Sequence, residues 1–123
     1  MNKSKTFPLD IFKHGIKVVI GSREYLLDVA KKDGFLDFVK KNIEEPSRMI
    51  TFTLPTGDAM VYSGGFDANT DDDEIMRHEI LHAVSHILRS IGIEHTAETE
   101  EVYAYAIEYC NKRIFTWLFC EFP

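Results

Sequence analysis

The sequence predicts an α+β domain, with short antiparallel strands in its first half packed on longer helices in its second. Three observations carry this. Four short runs before residue 63 are rich in β-branched and aromatic residues and are bounded by Gly, Pro, Ser or Asp. After residue 70, apolar residues recur three and four apart through two stretches of roughly twenty residues each. The 123 residues, 45% hydrophobic and 28% charged, suit one globular domain over residues 1–123 that buries its core without staples.

Each element has its own local warrant. Residues 1–10 read as a frayed lead-in, with Phe7-Pro8-Leu9 tacking it to the body. Residues 16–20 form a β-branched strand, Gly21-Ser22 a turn, and residues 25–29 the second strand of a hairpin that Asp33-Gly34 closes. Phe35, Leu36, Phe38, Val39 and Ile43 fall at helical spacing, so residues 35–43 make a short helix stopped before Pro46. Residues 49–54 and 59–62 read as paired strands around the turn at 55–58.

Ser63-Gly64-Gly65 breaks the strand pattern. Thr70 and Asp73 then stand in capping-box register before a helix over about 71–90, with carboxylates at its positive dipole end. Ile80, Leu81, Val84, Ile87, Leu88 and Ile91 fill its apolar side, and Gly92 suits its C′ position. Thr96 caps a final helix over about 97–119, packed through Val102, Ala106, Tyr109 and Ile114. Phe115, Trp117, Leu118, Phe119 and Phe122 crowd the end of the chain as core packing, with a homodimer seam as the alternative.

Composition excludes some classes. A formal net charge of −6 argues against a nucleic-acid partner, because phosphate binding needs clustered Lys and Arg. No apolar run is long enough for a membrane span or a signal-peptide core, so a cytoplasmic protein is expected. Cys110 and Cys120 stand on one predicted helix, about 15 Å apart at 1.5 Å rise per residue, too far for a disulfide. They read as buried thiols in a reducing compartment.

The chemistry concentrates in the unbroken HExxH of His78-Glu79-Ile80-Leu81-His82. Residues four apart share a helix face, so both imidazoles can aim at one point and hold Zn²⁺ without cancelling its charge. Glu79 is turned about 100° from His78, within reach of a metal-activated water as general base but badly placed as a ligand. A two-histidine site needs a third protein donor. Glu101 is favoured, because it adjoins Val102 at the edge of the apolar stripe, on a helix expected to pack antiparallel to the motif helix. Glu98, Glu100 and His95 are the alternatives. His86 continues the histidine ladder but drifts out of register and reads as solvated. Tyr105, one turn beyond Glu101, is a candidate donor to a developing oxyanion, with interhelical packing as its plainer role.

His78-Glu79-Ile80-Leu81-His82 followed by Glu101-Val102-Tyr103-Ala104-Tyr105-Ala106 resembles the gluzincin arrangement, HExxH plus a glutamate on the next helix. The resemblance is to the ImmA/IrrE-type metallopeptidases and to small HExxH proteins of bacteriophages and prophages, and covers about residues 71–110. In the ImmA/IrrE type the ligand glutamate precedes Ala-Asn and an aromatic-Ala pair; this chain keeps Tyr105-Ala106 but carries Val102-Tyr103. The resemblance implies a zincin-like core, a short sheet packed on the motif helix.

The expected function is zinc-dependent hydrolysis of a peptide or protein substrate, which pairs as an extended chain with a free edge of the strand around residues 59–63. The alternative is a non-catalytic metal-binding interaction protein, such as a phage accessory factor.

Overall fold

The computed structural model describes residues 2–9, 12–43 and 49–120, apart from the side chain of Cys120. Pro46 and Phe122 lie outside the described residues. In chain order the elements are β1 (Lys3–Pro8), β2 (Gly15–Ile20), α1 (Arg23–Asp33), α2 (Leu36–Asn42), β3 (Ile50–Thr53), β4 (Ala59–Ser63), α3 (Asp72–Ser90) and α4 (Glu100–Cys120). The fold is α+β. Among the described residues no helix is long and apolar enough to cross a membrane.

The four strands form one sheet in the order β1-β2-β4-β3. Its middle is predictable from composition: Ala59–Ser63 is buried throughout, and Gly15–Ile20 everywhere except Lys17. Such runs belong between neighbours, covered on both faces. Lys17 keeps its place by pairing with Asp33 at the end of α1. The sheet is mixed, not antiparallel as the sequence suggested: β2 and β4 run parallel, while β1 and β3 are antiparallel to their partners. Parallel neighbours need a long crossover, here α1, α2 and β3.

Side chains alternate between the two faces. Phe7, Ile16, Val18, Ile20, Ala59 and Val61 pack with α3 and α4. Val19, Met60 and Tyr62 pack with Leu26, Ala30 and Val39 of α1 and α2. The sheet is therefore the middle of three layers. At one end, Asp58 Oδ1 accepts from Gly15 N at 2.9 Å and lies 3.4 Å from His14 Nδ1, clamping the turn before β4 to the start of β2.

Two sequence expectations change here. The lead-in is a strand: Lys3–Pro8 pairs along its full length with β2. Its solvated lysines and threonine disguise it, because an edge strand needs few apolar positions. The proposed second hairpin strand, residues 25–29, belongs to α1. Ser22 Oγ accepts from Tyr25 N at 3.1 Å as an N-cap, and Gly34 ends the helix at φ 86°. Leu26 and Ala30, four apart, are the buried pair of that helix.

Ile80 is fully buried where α3 meets the sheet. Ile80→Ala should lower unfolding stability by about 2–5 kcal/mol, the usual cost of a cavity at a close-packed site. Urea denaturation followed by circular dichroism measures this; a loss below about 1 kcal/mol would show that the ridge is not close-packed.

Candidate metal centre on the motif helix

Helix α3 has one side committed to the core. Met76, Ile80, Ala83, Val84 and Ile87 form that ridge, none more than 1% exposed. At 100° per residue, His78 and His82 fall about 160° and 200° from Ile80, on the side away from the sheet. Both are exposed. Their rings nevertheless meet, with Nε2 atoms 3.0 Å apart and planes at 87°. Tetrahedral zinc with Zn–N bonds of 2.0–2.1 Å separates two ligand nitrogens by about 3.3 Å, so the pair suits two positions around one cation. Without a cation, the same geometry lets one neutral imidazole donate N–H to the other.

Glu79 lies on the flank of α3 that faces β3 and is half-buried. Thr51 Oγ1 on β3 is 2.7 Å from Glu79 Oε2 and 3.2 Å from the Glu79 carbonyl. A hydroxyl has one proton, and the shorter contact to the charged oxygen claims it. Thr51 thus fixes the carboxylate to the sheet. Sequence reasoning missed Thr51. Its signal was alternation alone, which puts residue 51 on the α3 face of its strand while Ile50 and Phe52 pack with α1 and α2.

Glu101 does not join the histidines. Among the described residues no group of three or more His, Cys, Asp or Glu is placed to hold a metal ion. The reason is helical register. Arg77 Cζ lies 4.3 Å from the Phe115 ring centroid, and Tyr103 donates its hydroxyl to the Ile93 carbonyl, so α3 and α4 do run antiparallel. Glu101 stands fourteen residues before Phe115, about 20 Å along the helix axis from the level of His78. It also faces elsewhere. The buried stripe of α4 runs through Tyr103, Ala106, Cys110, Ile114 and Leu118, and Val102 is 39% exposed. Glu101 therefore opens, with Val102 and Tyr105, onto a hollow shared with Leu9 and Phe12 that no α3 residue lines.

The other candidates are also dispersed. Tyr105 is 71% exposed and stacked beside Tyr109, so nothing aims it at Glu79. His95 stacks on Tyr103 at 4.5 Å. Glu98 and Glu100 are exposed. His86 is part-buried, and burial, then Arg89 and His82, push its pKa below the usual imidazole value. The helix caps differ from expectation too: Thr70 Oγ1 takes Asp72 N at 3.2 Å without a reciprocal box, and Thr99 rather than Thr96 organises the turn before α4. Burial pushes the Cys110 thiol up to about 12, which leaves it protonated and inert. Among the C-terminal aromatics, Phe115 and Phe119 pack with Phe66, and Trp117 packs on Phe7. They serve the chain's own packing and give no support to a homodimer seam.

No family model, curated protein or solved structure matches this chain.

The geometry separates the histidines from Glu101 in a metal titration. Wild-type protein should take up about one Zn²⁺ per chain. His78→Ala and His82→Ala should each abolish uptake, and Glu101→Ala should leave the affinity within about twofold, since only loss of a direct ligand has a large effect. Isothermal titration calorimetry reads all four proteins. Loss of zinc in Glu101→Ala would overturn the placement of α4.

Proposed function

We propose that this chain is a zinc-dependent hydrolase of peptide bonds, built as a small zincin-like domain. One observation carries the reading: His78 and His82 converge to 3.0 Å while the intervening Glu79 is held by Thr51. A helix with only a structural role has no need to fix the carboxylate that stands between two converging imidazoles in sequence. The short sheet packed on this helix agrees with what the gluzincin resemblance implies.

Each residue then has a defined task. His78 and His82 would hold the cation, which would supply Lewis acidity to water or a carbonyl oxygen. Glu79 takes the proton of the attacking water and returns it to the leaving amine. Thr51 keeps the Glu79 carboxylate in one rotamer, so its orientation costs little at the moment of reaction. The substrate edge moves from the expected strand to its neighbour. β4, residues 59–63, lies between β2 and β3 with both edges paired. The edge beside Glu79 is β3, and an extended peptide added there lies next to the carboxylate.

A second reading is favoured by a separate observation. Catalytic zinc sites usually carry three protein ligands, and the described residues bring only two together. On this reading the protein binds a metal and a partner without cleaving it, as a phage accessory factor would.

Glu79→Gln distinguishes the two. Glutamine keeps the oxygen that Thr51 contacts but accepts no proton, so the variant should fold, retain zinc and lose peptide cleavage by ~10²-fold or more. A peptide library incubated with zinc-loaded protein and analysed by mass spectrometry gives the readout. Absence of cleavage by zinc-loaded wild type would select the binding protein instead.

A further inference from the structure

The chain carries 20 acidic and 14 basic residues, yet one groove inverts that balance. A cavity of about 580 Å³ lies between β1 and the C-terminal half of α4. Lys5, Lys112 and Arg113 line it, together with Tyr109, Thr116 and Trp117, and no carboxylate does. Among the described residues Lys5, Lys112 and Arg113 enter no ion pair. In a protein of net charge −6 this is a local concentration of uncompensated positive charge.

Aromatic rings carry two of the groove's three cations. Arg113 Cζ sits 4.5 Å from the Tyr109 centroid and Lys5 Nζ 5.6 Å from that of Phe7. Lys3 Nζ lies 4.0 Å from the Trp117 centroid and donates to the Trp117 carbonyl. Cations seated on rings are partly ordered before any ligand arrives, which lowers the entropy cost of binding. The same seating covers the ring faces that a nucleic-acid base would need for stacking.

Among the described residues β1 is an outer strand of the sheet, paired only with β2. Its outward N–H and C=O groups can accept another strand. Lys3, Lys5 and Phe7 alternate on the face that packs toward α4. Lysines on an edge repel a neutral or basic strand and attract an acidic one. A second copy of this chain is a poor occupant, because β1 against β1 would put two sets of lysines on one narrow ribbon.

We propose that the groove docks an extended acidic segment of a partner protein, which adds to the sheet beside β1. Carboxylates at every second residue would face Lys5, Lys112 and Arg113, while the backbone pairs with β1. This surface is at the opposite edge of the sheet from β3 and is independent of any chemistry at His78 and His82.

The test uses a fluorescein-labelled ten-residue peptide with Asp or Glu at alternate positions and Thr or Val between, titrated by anisotropy against the full chain. Binding should be saturable and should weaken by about tenfold or more when Asn and Gln replace the acids, in the Lys112→Glu/Arg113→Glu variant, and on raising salt. Amides of β1 should gain hydrogen-exchange protection in the complex. Both substituted side chains are exposed, so the variant should keep the wild-type melting temperature. No saturable binding of the acidic peptide, an unchanged affinity in the double variant, or equally tight binding of oligothymidylate would each overturn the proposal.

Discussion

The structure depends on burying one ridge of α3 under the sheet. Met76, Ile80, Ala83, Val84 and Ile87 have no alternative to that contact, because each of the four larger side chains would forfeit about 1.5–3 kcal/mol of transfer free energy if exposed. Once the ridge is seated, the 3.6-residue repeat leaves nothing else free. The histidines must face away from the sheet, Glu79 must face β3, and Arg77 must face α4. The layout of the candidate site is a by-product of hydrophobic packing, sharpened by a single threonine hydroxyl.

Much of this was legible in the residues. The HExxH spacing placed the two imidazoles together and set Glu79 aside, because helical geometry alone decides both. The runs at residues 16–20 and 49–62 announced their strands through β-branched content and turn residues. Helix α1 looks like a strand in sequence because Tyr25-Leu26-Leu27-Asp28-Val29 fits either period over so short a window. The deciding features were Ser22 before it and Gly34 after it, which cap a helix of eleven residues. β1 was hidden because an edge strand tolerates polar side chains. Strand direction was not legible, since parallel and antiparallel partners differ in connectivity more than in composition.

Glu101 shows where sequence reasoning is weakest. Its helix, its antiparallel partner and its glutamate were all foreseeable. The rotation of α4 was not: taking Val102 instead of Tyr103 as the edge of the buried stripe turns the helix by about 100°. Axial register matters as much. A short connection between two helices brings the end of one beside the start of the next, and His78 sits at the opposite end of α3.

The contact between Lys3 and Trp117 joins residues 114 positions apart. It cannot form until residue 117 has been made. Of the described elements β1 is made before the others and α4 after them, so the two meet once β2, β3, β4 and α3 are already present. The α3–α4 contact joins neighbours in sequence, whereas the β1–α4 junction closes a loop that takes in every other described element. The basic groove lies at that junction, so it exists only while β1 and α4 are docked on one another.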